Sequence, residues 1–356
     1  MAAEVFFTDM RASSSLNLLD KLARLFHRAG LGEIISKEDY VAIKLHVGEP
    51  GNLSYIRPPY VGRLVQGIKD LGGRPFLTDA NTLYRGGRDN ALSHLETALH
   101  NGFSCSTVGA PFIAADGLRG LDYVRVPING KHIREARVAA AVYQADGLLV
   151  LSHFKGHLGT GFGGAIKNLG MGCASRPGKQ EQHDNVLPRI NKSQCRGCGR
   201  CIRWCPTEAI TLDGGKARIN PSKCQGCAEC IAVCTHGAVG FSFAGDLVSL
   251  QEKMAEYALA ATMDKGGKCG YINFLCDISP DCDCNSWNDV PLVSDIGFLA
   301  SKDPVALDQA SVDLVNKAAG KDLFCSHHRG TNWRAQLDHA EAMGLGSRVY
   351  RLVRVG

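Results

Sequence analysis

Two runs of cysteine set the chemistry open to this chain. Cys195, Cys198, Cys201 and Cys205 follow one another at intervals of x2, x2 and x3, and Cys224, Cys227, Cys230 and Cys234 repeat that spacing 29 positions later. Three thiols within seven residues can curl around three corners of an iron–sulfur cube, while the fourth, past a short turn, points away to another cube. The expected ligand sets are therefore crosswise. Cys195, Cys198, Cys201 and Cys234 would hold one 4Fe-4S cluster, and Cys224, Cys227, Cys230 and Cys205 the second. Gly197, Gly199, Gly226 and Ala228 are small enough to let backbone amides approach the sulfides. Zinc, the main rival for paired thiols, needs four thiols per ion and has no use for a triplet plus a remote fourth, twice repeated. Where Pro206 follows Cys205, Thr235 follows Cys234, which removes a fixed φ angle but no ligand.

A second thiol group, Cys276, Cys282 and Cys284, lies among Asp277, Asp281 and Asp283. Soft thiolates beside carboxylates favour iron or zinc. Cys173, in the segment MGCASR, would complete a three-thiol set with Cys282 and Cys284, a third centre that leaves one coordination position open for substrate. His153, Lys155 and His157 alternate directly after an apolar run, and the two imidazoles are expected to share one face, opposite Lys155. Those imidazoles suit proton transfer or metal binding, and Lys155, Lys167 and Arg57 suit an anionic substrate. Gly159-x-Gly161-x-x-Gly164 matches the dinucleotide fingerprint literally, but it is displaced from its strand, and the acidic residue about twenty positions on is only Glu181 in a polar segment. Nicotinamide is not expected, and no flavin signature is evident. Cys105, Cys269 and Cys325 stand alone and read as packing residues.

These groups need a scaffold, and the apolar pattern supplies one. Short apolar runs alternate with segments of helical period: strands at 5–9, 40–47, 75–79, 147–152, 271–275 and 349–353, and helices at 16–29, 60–71, 91–101, 133–144, 247–263 and 305–319. The run 123–126 is ambiguous. Asp303 followed by Pro304 marks a helix start, with Asp308 beyond it. The alternation predicts an α/β fold, a mostly parallel sheet with helical crossovers, interrupted by a ferredoxin-like α+β module. Residues 1–187 and 245–356 would share one sheet, and 188–244 would form the inserted two-cluster module. Ligands in such sheets gather where the chain leaves the carboxyl ends of the strands, which here are rich in His46, Asp79, Asn81, Tyr84, His153 and Cys276.

With 45% hydrophobic and 21% charged residues, the chain has the composition of a soluble globular protein. Its formal charge of +5 does not count two clusters. Each oxidised cluster with its four thiolates carries about two negative charges, bringing the loaded chain to about +1. No basic run points to nucleic acid. Eighteen consecutive apolar residues occur nowhere and the N-terminus has no signal-peptide pattern, so no membrane insertion is expected and the cytoplasm is the expected location. Cluster ligation requires reduced thiols, in keeping with that compartment and with an anaerobic host.

The phrases KLHVGEPGN, FLTDANTLY, SHFKGHLGTGFGGAIKNLGMGCASR, YINFLCDISPDCDC and DIGFLASKDPVALDQASVDLV resemble the iron-sulfur centre proteins of domain-of-unknown-function family 362, which carry a ferredoxin insert in the same place. The likeness spans nearly the whole chain. It implies electron transfer, and it aligns Cys282, Cys284 and Cys173 with cysteines of that family. Cys276 falls where relatives carry other residues. The expected function is a redox protein that passes low-potential electrons through two 4Fe-4S clusters to a third metal centre or substrate pocket. The alternatives are a specialised ferredoxin-type carrier that docks a partner enzyme, and an iron–sulfur sensor or carrier. A redox partner protein is expected either way, and oligomeric state is left open by the sequence.

Overall fold

A computed structural model of the chain describes residues 2–84, 86–183, 187–224, 229–240, 246–328 and 330–356. Its frame is one eight-stranded sheet: β1 (Ala3–Asp9), β2 (Tyr40–Lys44), β3 (Arg74–Asp79), β4 (Phe112–Ala114), β5 (Gly147–His153), β6 (Cys269–Leu275), β7 (Gly297–Ser301) and β8 (Tyr350–Arg354). Across the sheet the order is β8-β1-β7-β6-β5-β2-β3-β4. Every strand runs parallel to the rest except β7, which pairs antiparallel with both β1 and β6. The expected α/β architecture, a mostly parallel sheet with helical crossovers, is therefore the one found.

All seven residues of β5 and of β6 are buried. Apolar side chains on both faces are what a strand covered on both sides requires. Leu148 and Val150 enter one core with Tyr271 and Leu275, under the helices Leu247–Ala260 and Pro304–Ala319. Leu149 and Leu151 enter the other with Ile272 and Phe274, under the helices Leu18–Arg28 and Pro58–Asp70. Each such side chain contributes roughly 1.5–3 kcal/mol. Helix ends follow local chemistry: Asn17 and Asn90 cap by side-chain oxygen, and Asp303 accepts from Val305 and Ala306 at 2.9 Å, with Pro304 in the first turn.

Strands β5 and β6 are hydrogen-bonded neighbours, Cys269 opposite Leu148, although the cysteine-rich segment lies between them in sequence. That segment has its own small core of Ile210, Ala217, Ile231, Val233, Ala238 and Val239 and two short antiparallel ladders. The expected boundary at 244/245 lies outside the described residues. Among the described residues no helix is long and apolar enough to cross a membrane.

Three elements depart from the sequence pattern. The alanine-rich stretch expected as a helix over 133–144 forms a strand, Glu135–Ala139, and only a short helix, Ala140–Gln144. Burial of Ala136 and Val138 at alternate positions, against the partner strand Tyr123–Pro127, overrides alanine's helix propensity. The pattern also misses β4, three residues long, and β7, which follows a polar loop directly.

Candidate functional site

In the module, Cys195, Cys198 and Cys201 from the first cysteine run and Cys234 from the second line one small cavity. The Ala217 and Gly197 amides donate to Cys195 Sγ at 3.3 and 3.5 Å and hold that thiol below its ordinary pKa. Cys205 does not line this cavity; its sulfur accepts from the Ala209 amide at 3.2 Å. Four soft donors from two copies of one loop line it, with amides aimed at the Cys195 sulfur, and these are the donor types a cubane takes. Cys224 and Cys230 are placed nearby in chain order, whereas Cys227, Gly226 and Ala228 lie outside the described residues. Two contacts join module to sheet. Leu83, beyond β3, packs in the module core among Cys195, Cys201 and Cys230, and the Arg119 guanidinium sits 4.3 Å from the centre of the Trp204 ring.

Where β2, β3, β5 and β6 end, the loops build a dense cluster of charge. The last residue of β2, Lys44, is 1% exposed and puts Nζ 3.0 Å from Asp79 Oδ1 and 2.6 Å from Asn168 Oδ1. Arg88 spans Asp79 Oδ2 at 3.1 Å and Glu49 Oε2 at 2.9 Å, and donates to the Tyr84 hydroxyl at 2.5 Å. Glu49 also accepts from the Gly87 amide. Burial alone would raise the Asp79 carboxyl, but Lys44, His94 and Arg88 reverse this and hold it well below the usual carboxylate range. His94 is pushed down to about 3 by burial and is neutral.

A second set sits beside the first. Asp283, fully buried, is 2.9 Å from His153 Nδ1 and 2.9 Å from Lys155 Nζ. His153 Nε2 faces the carbonyls of Cys276 and Asp277 at 3.0 and 3.1 Å. Burial opposes ionisation of Asp283, yet His153 and Lys155 keep it ionised. On the other side of that loop the Cys282 thiol receives a hydrogen bond from Cys284, lies 3.5 Å from Lys167 Nζ and meets His157. The interaction with Cys284 and the Lys167 ammonium hold Cys282 well below the ordinary thiol pKa, while Cys282 and burial push Cys284 above it. His157 Nδ1 accepts from the Gly159 and Thr160 amides at 3.1 Å, so its proton sits on Nε2, and burial pushes its pKa down to about 4. His46 ties the two sets together, feeling Arg88 and Asp79 on one side and Asp283 and Cys282 on the other.

Several sequence expectations change here. Phe154 stacks on Phe162 with ring centres 4.9 Å apart, and Lys155–His157 forms one arm of a hairpin with Gly161–Gly163. His153 and Lys155, expected to face apart, meet on one carboxylate, as residues two apart along extended backbone can, and His157 turns to Cys282. Lys155 is engaged by Asp283, and Arg57, largely exposed, pairs with Asp277 at 3.0 Å on the rim. Cys173 is 1% exposed, has Lys44, Asp79 and Lys179 as its charged neighbours, and is pushed up to about 11 by burial. Among the described residues no three histidine, cysteine or acidic side chains lie close enough together to hold one metal ion, neither Cys173 with Cys282 and Cys284 nor the module thiols. Cys276 lies against Met10 at 3.6 Å, in the core. Asp308 does not serve its own helix: it accepts from the Ala165 and Ile166 amides at 2.7 and 2.9 Å and from Asn273 at 2.7 Å. Lys44, Glu49, Arg88 and Asn168 were absent from the expected set. Only Lys44 carried a signal, a charge ending an otherwise apolar strand.

The loop bearing the two thiols rests on backbone. Gly156 donates to Ser279 O at 2.9 Å, and a Cβ at Gly156 would stand 1.9 Å from Pro280 O. Gly156→Ala therefore displaces this loop and is expected to cost about 1–3 kcal/mol, read as a lower urea midpoint at unchanged slope.

A family profile described as "Domain of unknown function (DUF362)" matches residues 41–313. No curated protein matches. Among solved structures the chain is similar to the lactate racemase apoprotein from Thermoanaerobacterium thermosaccharolyticum, with 13% identity and a TM-score of 0.39, over 77% of this chain and 51% of that one. It is also similar to a protein from Thermotoga maritima, with 11% identity and a TM-score of 0.36, over 74% and 52%. The chain spans about half the length of these matched structures.

Proposed function

Since the chain belongs to the DUF362 family, whose profile spans residues 41–313, we propose that it is an iron–sulfur redox protein in which the module feeds electrons to the charged site at the strand ends. The observation that carries this is the cavity lined by Cys195, Cys198, Cys201 and Cys234, because thiols from two copies of one loop share it as crosswise ligation requires. Each 4Fe-4S cluster, when bound, takes up and gives out one electron. The first would be held by those four thiols and the second by Cys224, Cys227, Cys230 and Cys205.

The protein's own groups do the rest. Amides of Gly197 and Ala217 hold negative charge on Cys195. Leu83 packs against the module thiols while the next residue, Tyr84, bonds to Arg88 in the charged site, so one step of chain joins the two. Lys44, Arg88 and Lys155 are held in ion pairs, which leaves Lys167, beside Cys282, as the cation that best suits an anionic substrate or a proton. So much buried charge favours a reaction site over a body that only docks a partner enzyme. A cytoplasmic location, with an electron-donating protein as partner, suits thiols that must stay reduced.

Anaerobic titration of the loaded chain with a one-electron reductant tests this. Uptake of about two electrons per chain is expected, one for each cubane. No uptake overturns it.

A further inference from the structure

Cys282 and Cys284 stand on one loop beyond the end of β6. They are two residues apart, and the residue between them, Asp283, is turned away and fixed by His153 and Lys155. The Asn285 amide donates to Cys282 O at 3.0 Å, closing a turn, and the Cys282 thiol lies 3.5 Å from Lys167 Nζ. The two thiols are near enough to shift each other's ionisation in opposite directions. Cys282 is buried and Cys284 is part-exposed, so one end of the pair meets solvent. Tyr84 and Arg88, which connect through Leu83 to the module thiols, both lie within electrostatic reach of Cys284.

We propose that Cys282 and Cys284 form a redox-active thiol pair, whose oxidised state is a disulfide between them and whose reduced state stores two electrons beside the module. In reduction the S–S bond breaks, two electrons enter from a low-potential one-electron donor in successive steps, and one proton is taken up. The products are a thiolate on Cys282 and a thiol on Cys284. The Lys167 ammonium faces the charge that forms on Cys282, and a cation beside a thiolate is the usual way that a protein stabilises it. Two single-electron carriers and one two-electron couple match in number, so the pair would turn single electrons into an electron pair for a substrate that accepts two. Identifying the donor with the module rests on the function proposed above; the couple itself does not.

The test uses the full-length, cluster-loaded chain without oxygen. The chain is oxidised with diamide, alkylated with N-ethylmaleimide, digested and weighed by mass spectrometry. The expected result is a peptide carrying Cys282 and Cys284 unalkylated and lighter by two hydrogens, and recovery of both alkylations after treatment with reduced methyl viologen. Cys284→Ser should lose the link while keeping the iron content of the parent chain. Full alkylation of both thiols after oxidation overturns the proposal. So does protection of both without a link, together with metal that Cys282→Ser removes, since the thiols would then be ligands. Should the link form in a chain that binds no iron, the couple stands and the proposed source of its electrons falls.

Discussion

Cys195→Ser and Cys234→Ser are expected to abolish the same cluster, and Cys205→Ser the other one, although Cys205 lies only four residues beyond Cys201. Each variant should lose about four of about eight irons. The reason is geometric. Cys234 lines the cavity of the first cysteine run, and Cys205 is not among its lining residues. If each run instead held its metal alone, Cys205→Ser would act like Cys195→Ser, and Cys234→Ser would act like Cys224→Ser. Double variants separate the two schemes. Cys195→Ser with Cys234→Ser should lose no more iron than either alone, whereas Cys195→Ser with Cys205→Ser should lose all of it. Iron per chain and visible absorbance, both measured anaerobically, read the outcome.

Asp79→Ala should be the most damaging single change in the sheet's charged edge. Its carboxylate faces Lys44 and Arg88, both almost wholly buried, and removing it leaves Lys44 with only uncharged partners and Arg88 with Glu49 and the Tyr84 hydroxyl. Breaking a buried pair by deleting one partner costs about 3–5 kcal/mol. That is a large part of a typical stability of about 5–15 kcal/mol. The same carboxyl fixes a pH dependence. Its folded pKa is depressed, so its contribution is complete above the unfolded value of about 3.9 and is lost as pH falls through the folded one. Asp283 follows the same sign. Urea titrations from pH 6 downward should show the parent losing stability below about pH 4, with a weaker dependence in Asp79→Ala. A parent curve flat to pH 2 would mean that these carboxylates are not held ionised by their partners.

The cysteine runs were legible because covalent ligation imposes a fixed spacing, and the sheet was legible because β5 and β6 are apolar on both faces. The way the charged site closes was not. Lys44 meets Asn168 and His153 meets Asp283 across more than a hundred residues, and no local period encodes such meetings. The expectation that Lys155 faces away from His153 fails on strand periodicity itself, because residues two apart along extended backbone share a face, and the two side chains meet on Asp283. Glu49 and Arg88 sit in polar loops where charge is ordinary, and only the fold marks them out.

The electron-transfer role proposed for the charged edge depends on iron–sulfur cubes in the module. The direct measurement is iron, acid-labile sulfide and zinc per chain in protein purified without oxygen. About eight irons and about eight sulfides, with the brown absorbance of such clusters, are predicted from four of each per cubane. A colourless protein that carries zinc and no sulfide would contradict it.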